Sequence, residues 1–363
     1  MKKNKNAENF QPLLKRKYER TISKNVGKVS KSFTKIKKIL NVIYIDSTAK
    51  LANPHLDTMP SDFLYHLDIN VANTQDTGDI QQRFGDVRVI CMGGTASRMR
   101  DLALYMRKVL EVSDSSDPVD LCERGHRYAM YKVGPVLCVS HGVGSSTFSV
   151  VLHELLKLAK YARCQDPVFL RIGTCGGVGV PPGTVVVTKD AFNGLLRNEH
   201  AIAILGKLVV RPAQFSVDVI KDIMEYGADP KDGFQTISAN TMGTDCFYEG
   251  RCAVGFPKSA LLYGNFFYLG QGRIDGAICE YTEQDKMDFL KKCHDLGIRN
   301  IEMEASMFAS VTQKVGVKAG DVCVTIVNRL QGDQVTVTME QKHEFEQRPF
   351  LVVGRYIKKL LQQ

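Results

Sequence analysis

Apolar segments that break off at glycines recur along this chain. Asp86–Met92 runs into Gly93-Gly94, Gly134–Ser140 into His141-Gly142-Val143-Gly144, and Pro167–Ile172 into Gly173-Thr174-Cys175-Gly176-Gly177. After the first two, residues 97–111 and 146–161 carry the period of amphipathic helices. Thr184–Thr188 and Asp321–Val327 supply two further strand-like runs. Strand, glycine-rich loop and helix in repeated succession predict an open α/β sheet. Such sheets bind ligands beyond the carboxyl ends of their strands, where these glycines lie. One catalytic domain is therefore expected from about residue 51 to 363.

Charge divides the chain differently. The whole carries +9, but residues 1–50 alone carry +11, which leaves the other 313 residues at −2. The basic character thus belongs to a Lys/Asn-rich segment, read as a disordered N-terminal arm, and gives no reason to expect a nucleic-acid partner for the body. No apolar run approaches the roughly 18–20 residues of a membrane span. Ten scattered cysteines show neither a C-x-x-C pair nor zinc spacing, so reduced intracellular thiols and a cytosolic protein are expected.

Several residues could carry chemistry. Gly94 with Arg98, Arg127 beside Tyr128, and Arg171 with Thr174 pair arginine with glycine or hydroxyl groups, a donor set that suits free phosphate. Taken singly, an arginine at a strand end is more often a surface ion pair. The chain has no G-x-x-x-x-G-K-[ST] loop and no G-x-G-x-x-G, so ATPase and dinucleotide readings lose support. Glu302-Met303-Glu304 precedes a helix beginning near Ala305. Its acids could favour the helix N-terminus, or an ionised Glu could accept two hydroxyls of a vicinal diol.

Eight segments, in order, carry a resemblance. They are Leu64-Tyr65-His66, Gly93–Met99, Arg127–Val136, Phe169–Thr174, Asp245–Gly250, Gln271-Gly272-Arg273, Ile301–Glu304 and Val327-Asn328-Arg329. Together, from about Ala52 to the C-terminus, they resemble the uridine phosphorylases of nucleoside phosphorylase family I, the animal type more than the bacterial. The resemblance implies a single α/β domain with a central mixed β-sheet flanked by helices. It also implies a pentosyltransferase that exchanges uracil for phosphate: uridine + phosphate ⇌ uracil + ribose 1-phosphate. Phosphate would be held by Gly94, Arg98, Arg127, Arg171 and Thr174, with Arg127 reaching in from the neighbouring subunit of a homodimer. His66 would likewise meet the partner's ribose, beside Met303 and Glu304. Phe247, Gln271 and Arg273 would bind uracil. Catalysis would fall to Arg98, Arg171, Glu304 and Arg273.

The chemistry agrees with those roles, because breaking a glycosidic bond builds positive charge on the sugar and negative charge on the base. A phosphate dianion offsets the first and Arg273 the second. No cofactor is implied beyond phosphate as co-substrate. Asn328 stands where a purine phosphorylase of the family offers an Asp, which favours a pyrimidine. Tyr128 replaces the Glu by which bacterial relatives hold potassium, so no metal is expected. Arg329 is a candidate only for a place behind the pocket, and His141-Gly142-Val143-Gly144 is read as a turn near the sugar without a role for the imidazole.

One segment departs from the family pattern. Arg251–Gly270, RCAVGFPKSALLYGNFFYLG, intervenes between Glu249-Gly250 and Gln271, and it is mostly apolar where a surface loop should be polar. It separates Phe247 from Gln271 and Arg273 along the chain and predicts an impaired uracil subsite. Lengthening a loop costs only about 0.6 kcal/mol per doubling, so the fold would survive, whereas a misplacement of about 1 Å can cost on the order of 100-fold in rate. Two other readings stand beside the first: a hydrolase or purine phosphorylase on the same fold, and an inactive splice-form-like protein that binds ligand or heterodimerises.

Overall fold

The computed structural model describes residues 51, 53–59, 62–71, 80–113, 116–249 and 270–362. The basic arm at 1–50 and the 251–270 insertion, Gly270 excepted, lie outside the described residues. Two short strands, β1 (Phe63–Leu64) and β2 (Ile69–Asn70), form a small hairpin. The first glycine-ended segment becomes β3 (Val89–Gly93), followed by helix α1 (Ala96–Val109). Thr95 caps α1, its hydroxyl accepting from the Arg98 N–H at 3.3 Å. Strands β4 (Met130–Val133) and β5 (Val136–Ser140) follow, then α2 (Ser145–Tyr161). Both helices fall within two residues of the expected bounds.

The chain continues through β6 (Val168–Gly177), β7 (Val185–Phe192) and the hairpin β8 (Glu199–Ile204) with β9 (Lys207–Pro212). Next come α3 (Val217–Asp222), β10 (Thr236–Gly243), α4 (Glu283–Asp295) and β11 (Ile298–Glu302). The last elements are α5 (Ala305–Val315), β12 (Lys318–Asn328) and α6 (Met339–Leu361). Eight strands make one mixed sheet in the order β11-β10-β7-β12-β6-β3-β5-β4. An antiparallel contact of β11 with β6, at Asn300–Gly177 and Ile301–Gly176, draws the sheet into a partial barrel.

One expectation is corrected. Gly173-Thr174-Cys175-Gly176-Gly177 is not a loop but the second half of β6, paired in register with β12. Glycine is needed there for close approach: a Cβ on Gly176 would sit 3.1 Å from Arg329 Cγ, and one on Gly177 3.1 Å from the Val327 carbonyl oxygen. The sheet is covered on both faces, so its central strands are buried almost throughout, as in β3 and β5. Phe148 of α2, Phe308 of α5 and Phe350 of α6 are fully buried in that core, each contributing roughly 1.5–3 kcal/mol by burial. Among the described residues, no helix is long and apolar enough to cross a membrane.

Candidate active site

The carboxyl ends of β3, β5, β6, β11 and β12 surround a cavity of about 260 Å³. Its walls bring together Gly94, Arg98, Arg171, Thr174, Phe247, Gln271, Arg273, Met303 and Glu304, nine of the eleven residues that the sequence singles out for the site. His66 and Arg127 do not line it.

At one end lie Gly94 and Arg98, set by the β3–α1 turn, and Arg171 on β6. Arg171 is only 3% exposed and is surrounded by carboxylates. Its Nη1 donates to Asp321 Oδ1 at 2.8 Å and to Cys323 Sγ at 3.0 Å, and lies 3.0 Å from Glu302 Oε2. Its Nη2 donates to Glu304. Burial disfavours the guanidinium charge, but Glu304, Cys323, Glu302 and Asp321 outweigh it and hold the pKa well above the ordinary arginine value. A Cβ on Gly173 would come within 2.9 Å of Arg171 Nη2, so glycine there leaves room for the guanidinium. Arg98 Nη2 pairs with Glu346 of α6 at 2.7 Å.

The two acids of Glu302-Met303-Glu304 separate into distinct roles. Glu302 accepts from the backbone N–H groups of Glu304 (2.7 Å) and Ala305 (2.9 Å), so it is the acid that serves the N-terminus of α5. Burial pushes its pKa well above the carboxylate range. Glu304 instead faces the cavity, accepting from the Gly144 N–H at 2.5 Å and from Arg171. Burial opposes its charge too, yet Arg171 and the Gly144 N–H prevail and hold its pKa below the ordinary value. Glu304 is thus the ionised acceptor at the centre of the cavity.

At the other end, Gln271 and Arg273 are buried, and the Arg273 guanidinium lies 4.4 Å from the Phe247 ring centroid. Phe247 itself is 41% exposed. Arg273 donates from Nε to Asp275 Oδ1 at 2.8 Å and from Nη2 to the Asp333 carbonyl at 2.8 Å. Beside them on the cavity wall Arg329, wholly buried, donates to Asp333 Oδ1 at 2.7 Å and to the Gln271 carbonyl at 3.1 Å. Lys286 Nζ meets Asp333 Oδ2 at 3.2 Å.

Asp333 and Lys286 escaped the sequence reading, as did the position of His141 on the cavity wall. The four-residue spacing of Arg329 and Asp333 was visible, but lay in a stretch with no periodicity to give it meaning.

The flanks of the insertion meet. Gln271 N–H donates to the Cys246 carbonyl at 3.1 Å, Gly272 N–H to the Glu249 carbonyl at 3.1 Å and Arg273 N–H to the Tyr248 carbonyl at 2.9 Å. The separation of Phe247 from Gln271 and Arg273 along the chain is therefore closed in space.

His66 and Arg127 occupy a separate surface. His66 Nδ1 lies 2.7 Å from Glu154 Oε1, and its ring stands 6.4 Å from that of Tyr128, the neighbour of the exposed Arg127. Elsewhere the β8–β9 hairpin exposes Ile202, Ile204, Leu208 and Val210, with Leu205 96% exposed at its tip. Among the described residues, no group of three or more His, Cys, Asp or Glu is placed to hold a metal ion.

Residues 88–361 match the model of the phosphorylase superfamily. The chain is 39% identical to uridine phosphorylase 1 of Mus musculus over 317 residues, 87% of this chain and 94% of that protein. It is 32% identical to a Schistosoma mansoni relative named inactive uridine phosphorylase B, over 85% of this chain and 96% of that protein. Among solved structures, a uridine phosphorylase of the oomycete Phytophthora capsici superposes with a TM-score of 0.76 at 36% identity, covering 87% of this chain and 99% of that one.

Proposed function

The chain belongs to the phosphorylase superfamily, as an animal-type uridine phosphorylase of nucleoside phosphorylase family I, and from that premise we propose that it catalyses the reversible phosphorolysis of uridine to uracil and ribose 1-phosphate. Because one relative is named inactive, membership alone does not carry the reading. What carries it is a single cavity with two arginines and a glycine turn at one end, an ionised Glu304 at its centre, and Gln271 with Arg273 at the other.

Phosphate enters between Gly94, Arg98, Arg171 and Thr174. Glu304 leaves Arg171 and accepts the 2′- and 3′-hydroxyls of the ribose beside Met303, which frees Arg171 Nη2 for the anion. As the glycosidic bond lengthens, phosphate faces the positive anomeric carbon while Gln271 and Arg273 receive the negative uracil, packed near Phe247. No covalent intermediate, metal or cofactor takes part. The test is phosphate-dependent base release from uridine and from inosine: uridine should be the strongly preferred substrate, and an equal or greater rate with inosine would overturn the pyrimidine reading.

The uracil subsite works with the insertion in place, because its flanks bind each other. Deleting Arg251–Gly270 is accordingly expected to change kcat/KM for uridine by less than about tenfold, since a shift of about 1 Å would cost on the order of 100-fold. A gain well beyond tenfold would show that the segment impairs the site, as its sequence suggested.

The active form is a homodimer in which His66 and Arg127 complete the partner's site. A mixing experiment reads this directly. Arg171→Ala spoils a subunit's own site, whereas Arg127→Ala spoils only its partner's. Equal mixing after subunit exchange should restore about a quarter of wild-type activity, because half the dimers are mixed and each keeps one whole site. Mixtures no more active than their components would contradict shared sites. The protein acts in the cytosol, in keeping with nine unpaired cysteines among the described residues, without nucleic-acid or membrane partners.

A further inference from the structure

His141 follows β5 directly, and its backbone N–H donates to the Gly93 carbonyl at 2.8 Å, which ties it to the glycine turn that precedes Arg98. The two turns abut: a Cβ on Gly94 would stand 3.4 Å from the Gly142 carbonyl oxygen. The imidazole is 1% exposed and stacks on Phe148, with centroids 4.4 Å apart and planes at 25°. That contact fixes the ring plane and leaves its nitrogens at the edge.

Among the described residues, neither Nδ1 nor Nε2 has a hydrogen-bond partner. Buried side-chain polar atoms are rarely left so. The same is true of Arg98 Nε and Arg171 Nε, so four of the six unpartnered buried side-chain polar atoms among the described residues belong to residues lining this cavity, with Thr236 Oγ1 and Asn300 Nδ2 lying elsewhere. The charged groups facing the ring are Glu304, Arg171 and Arg98. Burial first, then the two guanidiniums, lower its pKa to about 3 against the pull of Glu304 and of the adjacent Gly142 backbone, so the ring is neutral and carries one N–H.

We propose that His141 is a further phosphate-binding residue, donating its one N–H to a phosphate oxygen between Arg98 and Arg171. This deepens the phosphorolysis reading and rests on it. A neutral donor adds direction to the anion site without a third positive charge, and no proton is transferred.

His141→Leu removes the donor and fills similar space, while His141→Asn keeps a donor. Steady-state kinetics should show KM for phosphate raised about 10- to 100-fold in His141→Leu, with partial recovery in His141→Asn and KM for uridine nearly unchanged, as loss of a hydrogen bond to a charged ligand implies. An unchanged phosphate KM, or a rise confined to uridine, would overturn the proposal. Because a leucine variant could fail to fold, the wild-type chain with 15N-labelled histidine should also be titrated with inorganic phosphate alone. The His141 ring signals are expected to shift, and a titration that leaves them fixed contradicts the proposal. Uracil release from uridine by the wild-type chain, measured alongside, reports separately on the phosphorolysis reading.

Discussion

Replacing Arg171 by alanine should lower kcat for uridine phosphorolysis by roughly 100- to 1,000-fold, the loss that follows removal of one donor aimed at developing charge. The effect is large because this guanidinium serves two partners in turn. Before substrates bind it lies against Glu302, Glu304 and Asp321, all buried with it. With substrates bound it faces phosphate. Alanine also leaves the buried, ionised Glu304 without its cation, and removing one partner of a buried ionic group costs about 3–5 kcal/mol, so the fold must be checked by thermal denaturation.

Arg171→Lys separates the two effects. A lysine keeps the charge near the carboxylates but lacks the planar fork that reaches Asp321 and Glu304 together. Most of the stability should return while the phosphate KM stays high. If Arg171→Ala folds and retains near wild-type kcat and phosphate KM, Arg171 is a structural residue and the anion site lies elsewhere.

Asp333→Ala should also cost stability, about 3–5 kcal/mol, by leaving two buried cations without their shared partner. Arg329 would lose the contact at Nε, Lys286 the one at Nζ, and the Ile274 N–H its acceptor. Denaturant unfolding measures this as a lower midpoint with an unchanged slope. Since Arg329 also holds the Gln271 carbonyl, and the Asp333 carbonyl holds Arg273, the survivors should bind uridine more weakly.

The sign with pH follows from Asp333. Burial opposes its charge, but Arg329, the Ile274 N–H and Lys286 outweigh that and keep its pKa below the usual value. Its contribution is therefore complete above the unfolded carboxylate pKa of about 3.9 and is lost as pH falls through the lower folded value. The gap between wild type and variant should narrow only in strong acid. A gap that narrows near neutral pH would contradict this origin.

Much of the fold was legible because apolar runs and helical periods are local signals. Val89–Gly93, Val136–Ser140 and the helices at 96–109 and 145–161 fall close to where those patterns place them. The glycine run 173–177 misled, since glycine marks a turn in sequence but here admits a neighbouring strand and Arg329. The walls of the cavity were legible through family resemblance, residue by residue. Its supports were not: Asp333 joins Lys286 and Arg329 across 47 and 4 residues, and His141 is distinctive only through what does not touch it. Such contacts are set by tertiary packing, which leaves no period in the chain. The +9 net charge was likewise no guide to the site, where charge is local and nearly balanced.

Phosphorus NMR of the full chain with uridine and inorganic phosphate tests the central claim most directly. Phosphorolysis requires inorganic phosphate to decline and ribose 1-phosphate to grow, one for each uracil released. Uracil released without loss of phosphate would make the protein a hydrolase, and no release at all would leave it a binding protein on a phosphorylase fold.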